Sequence, residues 1–207
     1  MALTALLSGC SLAEDPSSKE AFERWLEAET GRARVYLAFT ERLRKAGVED
    51  VIPPWQLLRV DADYVWRCDS EYFDFPPNDQ WDAIIPTLHL LRDEVIPVVG
   101  KVEVASAYRS EAVNACVGGA KRSQHRRFTA VDLVPEGDID KRDHFTRLCR
   151  MHARLGAQSH MGLGAYFEPD NPGRNSTGRF HIDSGGFRRW GYDYTSKSDP
   201  CPELLGE

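Results

Sequence analysis

Five side chains that suit metal-dependent hydrolysis are concentrated in two short stretches of this chain. In sequence order they are Arg109, His125, Asp132, His181 and Asp183. Two imidazoles and one carboxylate can hold a zinc ion, Zn²⁺, and leave its fourth position open for the water that it activates. A further carboxylate can accept a proton from that water, and an arginine can hold a carboxylate of the substrate. These residue types therefore predict a hydrolytic metal site of the kind that zinc peptidases use.

The spacing of the three proposed ligands indicates a site at a sheet rather than on one helix. His125 and Asp132 are seven residues apart, which is not the helical His-Glu-x-x-His arrangement. His181 would come from a separate strand. His181 and Asp183 are two residues apart and on a strand point to the same face, roughly 6–7 Å apart. Asp183 is therefore predicted to accept the proton of the attacking water. The alternative is that Asp183 orients a metal ligand through a hydrogen bond without contacting the metal.

Substrate binding is predicted at the end of the strand that precedes His125. Arg109 lies there just before a turn, and its planar guanidinium suits a peptide carboxylate. Tyr108 and Ser123 are predicted to add hydrogen bonds to the substrate. Taken singly, these residues have structural alternatives: an ion pair for Arg109, a turn cap for Asp132 and a turn start for Asp183. The joint arrangement favours the site.

The elements that must position these residues follow from hydrophobic periodicity. Helical patterns cover residues 19–45, weakened at Gly31, and 79–98, which contains Pro86 and Pro97; shorter ones cover 110–117 and 139–155. Period-two patterns predict strands in KVEVASAYRS, TAVDLVP, GLGAYFE and GRFHIDSG. Because helices come first and strands gather later, the sequence predicts an α+β domain over 19–207.

Bulk properties exclude some classes of protein. The 207 residues suffice for one domain. A net charge of −6 and a pI near 5.6 argue against a nucleic-acid partner. No apolar run has the length of a membrane-spanning helix.

The N-terminus and the cysteines carry a prediction about location. Residues 1–9 are apolar and run into LSGC, so Cys10 is predicted to be a lipidation site, with a frayed terminus as the alternative. On this interpretation residues 1–18 are a truncated lipoprotein signal and tether. Four further cysteines allow three disulfide pairings, or buried free thiols. These are Cys68, Cys116, Cys149 and Cys201.

Three motifs, in the right order over about 79–192, resemble a known family. SQHRRFTAVD matches the pattern S-x-H-x-x-G-x-A-x-D, SAYRS looks like an S-G-Y-R-S arginine motif, and FHIDSGGFRRW is similar to a murein endopeptidase ending. Together they resemble the bacterial zinc D-Ala-D-Ala carboxypeptidase and murein endopeptidase family, whose fold is shared with hedgehog signalling domains. The resemblance implies a small antiparallel sheet flanked by helices, zinc held by His125, Asp132 and His181, and Arg109 on a substrate carboxylate. It also places the core of the domain at about 79–192 and implies peptidoglycan stem peptides as substrates. With the LSGC stretch this predicts a periplasmic or cell-envelope location and a lipoprotein, and we expect a monomer.

Two positions depart from the family pattern. Phe128 replaces a glycine, which predicts a different path for the loop after His125. Gly178 stands where many relatives carry the acid that acts as general base, so Asp183 is the preferred substitute. The alternatives are an inactive zinc-binding module that docks onto murein or a partner, and an ordinary intracellular α+β protein with an accidental match.

Overall fold

The computed structural model describes residues 14–174 and 177–207, and Cys10 and most of the predicted signal and tether (1–13 of 1–18) lie outside these ranges. The helices are α1 Lys19–Glu27, α2 Arg32–Lys45, α3 Ala62–Cys68, α4 Ile85–Leu90, α5 Ile96–Val99, α6 Glu111–Cys116, α7 Lys141–Leu155 and α8 Cys201–Leu205. The strands are β1 Val102–Ser106, β2 Ala130–Pro135, β3 Gly162–Gly164, β4 Phe180–Asp183 and β5 Arg188–Trp190. Short 3₁₀ segments cover Pro54–Leu58, Asn78–Ile84, Gln124–Arg127, Ala157–Ser159 and Ser196–Ser198, and a π turn covers Leu91–Val95.

The five strands form one sheet in the order β1-β2-β4-β3-β5. The first three neighbouring pairs are antiparallel, and β5 runs parallel to β3. The α+β class is confirmed, with a sheet that is mixed because of β5. Sequence periodicity did not predict this strand, since three residues are too few to establish an alternation.

Glycine and proline divide the two long helical patterns. The pattern over 19–45 becomes two helices, because Gly31 adopts φ 104°, a left-handed conformation that ends regular helix. Between residues 78 and 99 the chain stays helical but changes type, and Pro86 and Pro97 each fall in the first turn of an α segment. Proline is tolerated there, since its missing N–H has no partner to lose.

The N-terminal helices pack onto the same hydrophobic cluster as the sheet. This cluster contains Phe22 and Phe39 from α1 and α2, Val131 from β2 and Ile182 from β4. The extra N-terminal helices are therefore part of the support under the strands that carry the predicted site.

Two disulfides resolve the open cysteine pairing. Cys68 at the end of α3 is bonded to Cys116 at the end of α6, and Cys149 of α7 is bonded to Cys201 of α8. The first bond fastens α3 to the segment that follows β1. In the described part of the chain, no helix has the length and apolar character needed to cross a membrane.

Candidate metal centre

Asp132 and His181 meet because their strands are in register. Asp132 on β2 is paired directly with His181 on the antiparallel neighbour β4, so their side chains share one face of the sheet. Asp132 Oδ1 lies 3.0 Å from His181 Nδ1. Both residues are buried. Strand pairing alone thus brings together two residues that are 49 positions apart in the sequence.

His125 reaches the same point from the 3₁₀ turn after β1. Its Nδ1 lies 2.6 Å from the carbonyl oxygen of Ala107, and the backbone N–H of Arg109 donates to the carbonyl of His125. These two bonds tie the turn to the chain leaving β1. The remaining ring nitrogen, Nε2, lies 3.1 Å from His181 Nδ1 and 3.5 Å from Asp132 Oδ2.

The hydrogen bonds on the outer sides of the two rings fix which nitrogens face inward as acceptors. Nδ1–H of His125 donates to Ala107, and Nε2–H of His181 donates to Asp183 across 2.9 Å. The tautomers assigned from these partners leave two lone pairs converging beside a carboxylate. A bound cation, or a proton on His181 Nδ1, removes the repulsion among these acceptor atoms. The ligand atoms of the three residues lie within 4.8 Å of one another, and two imidazoles with one carboxylate fit zinc.

Titration of the two histidines follows from the same contacts. Burial by itself lowers the pKa of His181, but hydrogen bonds and charge from Asp132 and Asp183 outweigh it, so this pKa is raised above the ordinary value. Burial lowers the pKa of His125. Burial opposes ionisation of Asp132, yet the charges of His125 and Arg179 hold the pKa of its carboxyl well below the usual range. Asp132 is therefore a carboxylate at neutral pH, ready to bind a cation.

Asp183 lies behind His181, on the side away from the other two predicted ligands. It is fully buried, receives the outer N–H of His181, and also accepts hydrogen bonds from the Gly185 amide and from both terminal nitrogens of Arg188. A metal-binding histidine usually has such a carboxylate partner, which fixes its ring. This placement favours the orienting role of Asp183 over the proton-accepting role.

The loop after His125, for which Phe128 predicted a different path, passes through a left-handed residue. Phe128 itself adopts the left-handed conformation, with φ 54° and ψ 39°, which glycine occupies without cost. Its ring is fully buried and lies 6.0 Å from Phe39 of α2 and 6.4 Å from Tyr108, between ring centroids. The loop therefore keeps a glycine-type backbone, and burial of the ring offsets the strain of a bulky residue at positive φ.

Gly178 is required by its surroundings. Its φ is +73°, and a Cβ placed there would lie 2.5 Å from Cδ1 of Ile139. No acidic side chain can be added at this position without backbone strain and displacement of Ile139. The backbone conformation at position 178 therefore favours glycine over the acid that many relatives carry there.

A cleft of about 1070 Å³ opens over the predicted metal ligands. Arg109 and Ser123 line it. Tyr108 is not among the lining residues: its ring packs edge-on against Phe128, so the structure does not bring it to the predicted substrate site. Tyr64 of α3 lies there instead, with its hydroxyl 3.2 Å from Nη2 of Arg109 and its ring 4.6 Å from the guanidinium carbon.

Arginines dominate the charged lining of the cleft. The described lining contains seven arginines and three aspartates. Three of the arginines, Arg67, Arg109 and Arg122, form no ion pair with a carboxylate in the described part of the chain. Arg109 is only 8% exposed, and its Nε is a buried donor without a partner.

Sequence reasoning missed Arg179 and Asp61. Arg179 donates from Nη2 to Asp132 Oδ2 across 2.6 Å, and its Nη1 lies 2.5 Å from Asp61 Oδ2. The two carboxylates outweigh burial and raise the pKa of Arg179, which keeps it fully charged. Arg179 precedes His181 by two residues, a spacing that could have placed it on the same strand face. Asp61 gives no local signal, because only the tertiary fold brings it here.

Comparison with known proteins gives one family. Residues 81–165 match the family model described as Peptidase M15, which supports the family that the motifs resemble and covers two of the three motifs. The matched stretch includes His125 and Asp132 and ends before His181. No curated protein and no solved structure matches significantly. Since peptidases of this family are metal-dependent, the match and the His-Asp-His group together indicate a metallopeptidase.

Proposed function

We propose that this chain, with its match to the M15 peptidases, is a zinc-dependent peptidase that cleaves a peptide bond in peptidoglycan stem peptides. It would act as a D-Ala-D-Ala carboxypeptidase or as a murein endopeptidase. The observation that carries the proposal is the convergence of two imidazole nitrogens and one carboxylate in the lining of an open cleft. A structural metal site would instead be closed on all sides by protein ligands.

Each residue of the centre has a role in this proposal. His125, Asp132 and His181 bind the ion, and Asp183 orients His181 through its outer N–H. When bound, zinc supplies a water of lowered pKa as nucleophile and polarises the carbonyl under attack. Arg109 holds a carboxylate of the peptide close to the scissile bond, and this bidentate contact positions the substrate for attack.

The charge of the cleft supports an anionic substrate. The protein as a whole has a net charge of −6, whereas the cleft lining has an excess of arginines over aspartates. A local field of opposite sign to the whole protein concentrates anionic ligands at the site. Stem peptides, which carry several carboxylates, have the charge that this field selects.

The second candidate is an inactive zinc-binding module that docks onto murein or onto a partner protein. Gly178 favours it, because many relatives carry an acid at this position and the left-handed backbone here disfavours one. The two candidates share the metal site and differ only in turnover.

We further propose a periplasmic or cell-envelope location, with Cys10 as a lipid anchor, and a monomeric protein. Two disulfides support the location, since such bonds persist in oxidising compartments.

Metal analysis combined with murein digestion tests the proposal. The purified protein should contain about one zinc ion per chain and should release D-alanine or cleaved muropeptides, identified by mass. Asp132→Asn should abolish both zinc binding and product release. Asp199→Asn removes an aspartate that pairs with Arg189 and should change neither. Absence of bound zinc would overturn both candidates, and zinc without product would leave the binding module.

A further inference from the structure

Hydrolysis at this centre needs a proton acceptor that faces the cleft. Three carboxylates line it, those of Asp61, Asp63 and Asp132. The residues outside the described ranges, 1–13 and 175–176, contain no aspartate or glutamate. The acceptor is therefore to be sought among these three or in Asp183 behind the ligands.

Three of these four carboxylates are unsuited to the role. Asp132 is a predicted metal ligand. Asp183 is fully buried and held by His181, Arg188 and the Gly185 amide on the far side of the His181 ring. Asp63 is exposed, and no ion pair fixes its carboxylate in the part of the chain that the structure describes.

Asp61 is buried and fixed in the wall of the cleft. It is 5% exposed, and its Oδ1 accepts the Asp63 amide at the start of α3. Its Oδ2 lies 2.5 Å from one terminal nitrogen of Arg179, whose other terminal nitrogen donates to Asp132. One guanidinium thus holds the Asp61 carboxylate beside that of a metal ligand.

We propose that Asp61 is the proton acceptor of the reaction, in place of the acid that is absent at position 178. This inference deepens the proposed peptidase function and rests on it. Asp61 Oδ2 takes a proton from the attacking water as the bond forms between the water oxygen and the carbonyl carbon. The same oxygen then gives that proton to the departing amine nitrogen as the carbon–nitrogen bond breaks. A carboxylic acid and an amine leave, and Asp61 returns to its carboxylate form.

Arg179 acts on this step as a positioning residue. Its two charge-assisted contacts hold the carboxylates of Asp61 and Asp132 at a fixed separation. Asp61 precedes residue 81 and so lies outside the family-matched stretch. The acid would thus come from the N-terminal region of the chain, while the metal ligands come from the sheet and its adjoining turn.

Asp61→Asn is the central variant, with Asp63→Asn as its matched control. Asparagine caps helices as well as aspartate, so the first substitution keeps the start of α3 while it removes the charge, the proton acceptor and the ion pair with Arg179. Both variants are loaded with zinc and compared in zinc affinity, in kcat on muropeptides and in binding of acetohydroxamate. Acetohydroxamate binds zinc and gives its proton to a nearby base, so it reports on the acceptor without any peptide substrate.

In Asp61→Asn we expect zinc affinity within about threefold of the wild type and kcat reduced by roughly 10²–10⁴-fold. Acetohydroxamate should bind roughly tenfold to a hundredfold more weakly, the effect of losing a hydrogen bond to a charged group. Asp63→Asn should match the wild type, and Asp61→Glu should recover part of kcat.

Unchanged acetohydroxamate binding in Asp61→Asn, or a loss of zinc as large as the loss of kcat, would overturn the assignment. If the wild type cleaves no muropeptide while acetohydroxamate binding still depends on Asp61, the peptidoglycan proposal fails and the acceptor assignment stands.

Discussion

Asp183→Asn separates orientation of a ligand from proton transfer. In the folded protein the Asp183 carboxylate accepts four hydrogen bonds: from His181, from the Gly185 amide, and two from Arg188. Asparagine keeps one acceptor oxygen and loses the negative charge. His181 then presents a less basic nitrogen to the metal, and its ring is held less firmly.

The expected loss follows from that change. Replacing the carboxylate partner of a metal-binding histidine typically costs about 10–100-fold in metal affinity, which is about 1.4–2.7 kcal/mol. The side chain of Arg188 is 39% exposed, so water can solvate the guanidinium once its partner is neutral. We therefore expect the free energy of unfolding of the metal-free protein to fall by only about 1–2 kcal/mol.

Competition with a chromophoric chelator measures the zinc affinity, and urea unfolding measures stability. Asp199→Asn is the control, because Asp199 pairs with Arg189, the neighbour of Arg188 on β5, without touching a histidine. Wild-type zinc affinity together with a collapse of kcat in Asp183→Asn would refute this reasoning and restore Asp183 as the proton acceptor.

Four further predictions concern substrate binding and stability. Arg109→Lys should raise KM at least tenfold with a smaller change in kcat, since a point charge loses the two-point contact with a carboxylate. Cys68→Ala removes the disulfide at α3, which closes a sequence separation of 48, and should lower the free energy of unfolding by up to about 4 kcal/mol and raise KM. Cys149→Ala should lower the free energy of unfolding by a similar amount and leave KM unchanged. Burial lowers the pKa of His144 to about 4, so the folded state binds fewer protons than the unfolded chain between that pH and about 6.5. The free energy of unfolding should therefore fall as the pH drops from about 6.5 to about 4. Urea unfolding of His144→Leu should show a weaker fall over the same pH range. Gly178→Ala should lower unfolding free energy by roughly 1–3 kcal/mol, because alanine is strained at φ +73° and meets a neighbouring side chain.

The alternation of residues along the chain predicted the strands that carry Asp132 and His181, because a strand pattern depends only on neighbouring positions. Both strands are present in the structure. The predicted metal ligands were chosen by their residue types and by the order of the motifs. The α+β class also followed from the order of the elements. Strand register, which places Asp132 opposite His181, is a long-range property that residue types alone do not fix.

The rest depended on tertiary contacts. Asp61 and Tyr64 sit in a region where no helical pattern was found, and α3 there is only seven residues long. Tyr108 was expected at the substrate because it precedes Arg109, but successive residues of extended chain point to opposite sides, and Phe128 provides a buried contact for its ring. Loop conformation at Phe128 could not be predicted either, because the burial against α2 that offsets its strain is invisible to a rule based on residue type.

The contact between Phe128 and Phe39 limits how this protein can be divided or recombined. A fragment trimmed to residues 81–165 would lose α2 and leave the Phe128 ring without its partner. The turn that carries His125 would then relax towards an ordinary conformation and withdraw that imidazole. Grafting this catalytic stretch onto another scaffold therefore requires transplanting the amino-terminal helices with it, or restoring glycine at position 128.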